Sequence, residues 1–100
     1  MSDFRQLEVR HIHRETPSAV SVEFHVPEAL QPSFSFKAGQ YVTLKTTLNG
    51  EEVRRAYSLC TAPKENTLRV AIKEVDGGLF STYANRELTE GTVLDVHSPE

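Results

Sequence analysis

Between Val20 and Val26 the apolar residues Val20, Val22, Phe24 and Val26 alternate with Ser21, Glu23 and His25. Successive strand side chains point to opposite faces, so this run buries one face and wets the other only as a β-strand. The same period of two governs most of the chain. Leu7 and Val9 alternate with Glu8 and Arg10, and Ile12 breaks the phase, which predicts a bulge. Tyr41 to Leu48 is rich in β-branched residues and predicts a third strand. Asn49-Gly50 follows at once, a pair suited to a type I′ turn because both centres need positive φ. Glu51 to Cys60 forms the returning arm, and Leu68 to Val75 and Thr92 to Val96 supply two more strands. Phe80, Tyr83, Ala84 and Leu88 instead share one face at helical spacing, with Asn85, Arg86 and Glu87 between them. Asp76-Gly77-Gly78 breaks the strand before that helix and Glu90-Gly91 follows its end. Pro27 to Phe36, with Pro32 in its middle, reads as a long loop. The expected fold is all-β, a six-stranded antiparallel Greek-key barrel with one short helix before the last strand. Closure of such a barrel is expected to remove exposed strand edges.

Composition narrows the function classes. With 100 residues, 38% of them apolar and 25% charged, the chain supports one core, and residues 1–100 are read as a single domain. A net charge of −3 and the lack of a basic–aromatic stripe argue against nucleic acid as partner. No apolar run approaches the ~20 residues that span a bilayer, and Met1 to Arg5 has no signal pattern. A cytoplasmic setting is therefore expected, in keeping with a lone Cys60. One cysteine also excludes a disulfide framework or an iron–sulfur cluster within these residues. His11 and His13 stand two apart on a strand with His25 and His97 elsewhere, so no metal site is expected. Neither a P-loop nor a Gly-x-Gly-x-x-Gly run is present. Val96 to Glu100 stops just after a strand-like run, as a chain cut between domains would.

Two places depart from plain packing. Val53, Arg55, Tyr57 and Leu59 share one face of the returning arm, while Arg54, Ala56 and Ser58 share the other. A guanidinium on the more apolar face requires an anion, either Glu51, Glu52 or Glu74 or else a bound phosphate or carboxylate. Tyr57 beside it is either packing or a flat surface for another ring. At the helix start, Gly77 and Gly78 precede Ser81 and Thr82. Free N–H groups and the positive end of the dipole suit a phosphate there, with Lys73 adding a cation. The same residues also serve as a plain turn and a helix cap.

Arg55-Ala56-Tyr57-Ser58 resembles the Arg-x-Tyr-Ser signature of the flavin-binding barrel of ferredoxin–NADP reductase-type enzymes. Phe36 to Tyr41 is similar to that family's Phe-x-Pro-Gly-Gln-Tyr segment, with Ala38 in place of proline, and Gly78 to Ser81 to its Gly-x-x-Ser. Val70 to Lys73 resembles the strand beneath the flavin's phosphate arm. The likeness runs from Phe4 to Glu100. Asn49 to Cys60 and Val75 to Ser81 are most similar to the subgroup of reductase components of phenylacetyl-CoA oxygenases, which are ring epoxidases.

The resemblance implies that FAD is the cofactor. Arg55 would hold its pyrophosphate, Tyr57 would stack along the isoalloxazine or ribityl, and Ser58 would hydrogen-bond near N5 as the catalytic contact. Backbone groups of Val70, Ala71 and Ile72, with Lys73, would line the phosphate arm. Gly78, Phe80, Ser81 and Thr82 would offer donors to the pyrophosphate. Arg55 and Ser58 lie on opposite faces of one strand, so both reach one ligand only if the strand twists or the ligand wraps its edge. The subgroup's NAD(P)H-binding domain and ferredoxin-type domain, with its iron–sulfur cluster, are missing from these residues, and its further partner is an oxygenase component. The implied protein is an oxidoreductase running NAD(P)H to FAD to an iron–sulfur centre. The isolated chain is expected to hold FAD weakly and to be inactive alone. A non-catalytic ligand- or partner-binding barrel is the alternative, as is a regulatory flavin domain.

Overall fold

Val20, Val22 and Phe24 are all buried, so the alternating run turns one face to the core. A computed structural model of the chain describes residues 3–61 and 67–100. Strands β1 (Phe4–Thr16) and β2 (Ala19–His25) form a first hairpin, and β3 (Tyr41–Leu48) and β4 (Glu51–Ser58) a second. Strand β5 (Leu68–Lys73), helix α1 (Leu79–Arg86) and strand β6 (Val93–His97) follow. The pairings are antiparallel and the sheet order is β4-β3-β6-β1-β2-β5. The last strand is thus inserted between the two hairpins, the over-and-back connection of a Greek key.

Local chemistry explains the elements. Asn49 and Gly50 have φ of 51° and 81°, the left-handed pair that the tight β3–β4 turn requires. The ladder between β1 and β2 shifts register between Val9 and His11, which restores Ile12 to a place opposite Val22. Leu7, Val9, Leu44, Val70, Ile72 and Val96 fill the interior with Phe80 and Ala84 from α1. The bounds of β3 coincide with the β-branched run, while β5 ends at Lys73, short of Val75.

The segment from Pro27 to Phe36 is not plain loop, because Glu28–Phe34 is a 3-10 helix. Leu30 N–H donates to the Pro27 carbonyl at 2.9 Å and Phe34 is buried as an anchor. Short i→i+3 turns need only local bonds and one anchoring side chain, so no long periodicity announces them.

The barrel also closes less completely than expected. Strands β4 and β5 stand at the two ends of the sheet order. Across the seam between them runs the isolated bridge Leu59↔Val70, with Cys60 N–H donating to Arg69 O at 2.9 Å. Beyond the bridge, α1 packs against both β4 and β5. The Tyr57 ring of β4 meets Phe80 of α1 there, at 5.8 Å between centroids. Aromatic rings take the place of ladder hydrogen bonds, and the edges stay parted.

Candidate functional site

Of the residues singled out in the sequence, the seam brings together Tyr57 of β4 and Phe80 of α1, with Leu59 bridging to Val70 of β5. Strand β4 pairs with β3 along one edge, so its other edge lies open beside α1. Arg55 is exposed rather than partly buried, since β4 leaves the core between buried Val53 and half-buried Tyr57. Its guanidinium donates to the Arg54 carbonyl at 2.7 Å. Two of the carboxylates that could serve it are engaged elsewhere. Glu52 binds Arg54 at 3.0 Å and Glu74 binds Arg86 at 2.8 Å. Among the described residues, no carboxylate forms an ion pair with Arg55.

Tyr57 offers a flat, half-buried ring tilted 38° to Phe80. Burial pushes its phenol above the ordinary tyrosine value, and the nearby Arg55 charge opposes that only in part. The ring therefore stays neutral at physiological pH. Ser58 is exposed at the end of β4, opposite Tyr41. Arg55 and Ser58 do point to different faces, yet both border the open edge, which a ligand lying along the seam could wrap.

On the other side of the seam, Val70 and Ile72 bury their side chains completely, so only their backbone faces outward. Ala71 and Lys73 are exposed. At the start of α1, Gly77 has φ of +77°, while Gly78 occupies the N-cap with φ of −79° and no side-chain cap. A Cβ on Gly78 would lie 2.5 Å from Ser81 Oγ and 3.0 Å from the Val75 carbonyl. Ser81 is buried and does not cap the helix. Its hydroxyl accepts from Val75 N–H at 3.0 Å and faces the Gly78 carbonyl at 3.4 Å, closing the loop that feeds α1. Thr82 N–H already donates to Gly78 O at 3.0 Å, which leaves its hydroxyl. The N–H groups of Leu79, Phe80 and Ser81 precede the first possible i−4 carbonyl of the helix. Phe80 itself is wholly buried, so it can present only backbone. A cleft of about 410 Å³ opens beside this turn, lined by Leu48 and Asn49 of the second hairpin and by Gly77, Gly78 and Thr82.

The Gly78 geometry yields a direct expectation. Gly78→Ala should lower stability by about 1–3 kcal/mol through overpacking against Ser81 and the Val75 carbonyl. Thermal melts would register it, and a melting temperature equal to the parent's would show that the loop yields freely.

One polar residue was missed by pattern reading. Asn85 belongs to the helix's polar set by spacing, yet it is 6% exposed and hydrogen-bonded on all sides. Its position four residues after Ser81, on the same helical face, is the signal that was available.

A guanidinium with no described carboxylate partner, a lysine, a neutral aromatic face and a helix N-terminus suit a ligand that joins an anion to a flat ring. That is the donor set that the resemblance to a flavin-binding barrel implies. Residues 6–100 match the oxidoreductase FAD-binding domain family, and the chain belongs to it. It is 40% identical over 100 residues to one component of the 1,2-phenylacetyl-CoA epoxidase of Escherichia coli (strain K12), covering 100% of this chain and 28% of that protein. The chain thus spans little more than a quarter of that relative's length. The flavohem-like FAD/NAD-binding domain of nitric oxide dioxygenase from Vibrio cholerae O1 biovar El Tor superposes with a TM-score of 0.84 at 27% identity. That match covers 98% of this chain and 44% of the other. Phthalate dioxygenase reductase superposes with a TM-score of 0.79 at 27% identity, over 97% of this chain and 30% of its own.

Proposed function

We propose that the chain is the flavin-holding part of an NAD(P)H-dependent reductase that delivers electrons through an iron–sulfur centre to an oxygenase component. The observation that supports this most is Arg55, a guanidinium with no carboxylate partner among the described residues, set beside the Tyr57 ring on the open edge. The relatives supply the direction of electron flow. Phthalate dioxygenase reductase is a modular structure for electron transfer from pyridine nucleotides to a 2Fe–2S centre. The similarity to a component of a phenylacetyl-CoA epoxidase suggests an oxygenase acting on an aromatic thioester as the final recipient. Residues 1–100 are then one domain of a longer protein, and the lone Cys60 suits a reducing, cytoplasmic setting.

Bound FAD supplies the hydride- and electron-carrying chemistry, and the protein supplies binding, orientation and electrostatics. Arg55 binds the pyrophosphate through its planar fork, with Lys73 as a second charge. The N–H groups at the start of α1 add donors to the same anion, and Gly78 keeps the backbone approachable. Backbone groups of Val70, Ala71 and Ile72 line the phosphate arm. Tyr57 covers the flat system, and Ser58 places a hydroxyl donor near N5. Addition of FAD to the purified chain should shift the flavin absorbance bands and quench the flavin fluorescence. A spectrum identical to free FAD at every protein concentration would leave the non-catalytic barrel as the better account.

A further inference from the structure

Helix α1 and strand β5 must keep a fixed relation if both are to face one anion, and their side chains show how that relation is held. Asn85 lies in the last turn of α1, buried. Its Nδ2 donates to the Ser81 carbonyl at 2.9 Å, within the helix, and to the Ile72 carbonyl at 3.1 Å, on β5. Its Oδ1 accepts from Arg14 Nη1 of β1 at 2.8 Å, and Arg14 Nη2 donates to the Asn85 carbonyl. Both ends of the side-chain amide are thus engaged. Arg14 also brings a cation to the helix C-terminus, where free carbonyls and the negative end of the dipole favour one. Four residues earlier, Ser81 fastens the same helix to the connecting loop through Val75 N–H.

We propose that Asn85, held by Arg14, is a positioning residue for cofactor binding: it seats α1 on β5 so that the N–H groups of the helix's first turn are held in a fixed direction toward the pyrophosphate. This rests on the FAD reading above. Nothing in the role requires contact with the ligand. A buried amide bridging helix and strand carbonyls resists small rotations of the helix, because any rotation leaves a buried donor unmet. An apolar residue there would permit the helix to settle on packing alone.

The test compares FAD with riboflavin, which has the same ring and no pyrophosphate, using flavin fluorescence on the 100-residue chain. Asn85→Leu should weaken FAD about tenfold, the effect of one or two misplaced charge-assisted hydrogen bonds. Riboflavin affinity should change by less than about twofold, since no pyrophosphate is involved. Arg14→Gln removes the same support from the exposed side, where folding is not at issue, and should weaken FAD by about threefold. Thermal melts of each variant without ligand establish that it is folded. Unchanged FAD affinity in folded Asn85→Leu and Arg14→Gln overturns the proposal, as does equal loss for FAD and riboflavin, the mark of a general loosening. Failure of the parent chain to bind FAD at all would instead overturn the cofactor reading on which it rests.

Discussion

Replacement of Phe80 by alanine is expected to remove a fifth or more of the protein's stability. The ring is wholly buried, in contact with Tyr57 of β4 at 5.8 Å and with Tyr83 at 6.1 Å between centroids. Truncating a buried phenylalanine costs about 3–5 kcal/mol, from lost transfer energy and the cavity left behind. A domain of this length has about 5–15 kcal/mol in total, so the loss is a large share of it. The position matters beyond its size. Across the seam few ladder bonds join β4 to β5, and the Phe80 ring supplies the aromatic contact of α1 with β4. Urea denaturation should show a lower midpoint with an unchanged slope, because the surface exposed on unfolding is nearly the same. A loss below about 1 kcal/mol would mean that the helix repacks and that the ring contacts matter little.

Arg55→Ala should separate binding from folding in the opposite way. The side chain is exposed and pairs with no described carboxylate, so its removal should leave the melting temperature within about a degree of the parent. FAD affinity should fall by about thirtyfold, equivalent to roughly 2 kcal/mol for a lost charge-assisted pair. Arg55→Lys keeps the charge without the fork and should recover only part of the loss. FAD titrations at two salt concentrations check both points, with the parent the more salt-sensitive. If Arg55→Ala binds FAD as the parent does, the pyrophosphate is not held there.

Much of the strand layout was legible because period-two alternation depends on nearest neighbours alone. Tyr41 to Leu48 and the Asn49-Gly50 turn are local chemistry, and the structure has them where the residues place them. The Val9–Ile12 bulge was equally visible, as a phase break. What the pattern does not contain is closure. Whether β4 and β5 zip together depends on Phe80 and Tyr57, which lie 23 residues apart in sequence and meet only when α1 folds back. The exposure of Arg55 follows from the same fact, since alternation assigns a face but not the point where that face leaves the core. The 3-10 helix over Glu28–Phe34 has no periodicity to detect. Asn85 looked like a solvent residue because its partner, Arg14, is 71 positions away. For the proposed site, Arg55, Tyr57 and Ser58 stand out in the sequence as a short motif, whereas the buried Asn85 behind them does not.

The parted seam has a consequence for how this chain behaves among copies of itself. Strand edges without neighbours are templates on which other chains can add strands. On β4 that edge bears Glu51, Glu52, Arg54 and Arg55 within five consecutive positions, and β5 ends in Lys73. Any strand that docked there would have to strip water from those charges. The charges proposed to suit a dinucleotide would therefore also oppose the addition of a further strand. An apolar residue at Arg55 would then weaken that guard as well as the proposed grip on the pyrophosphate.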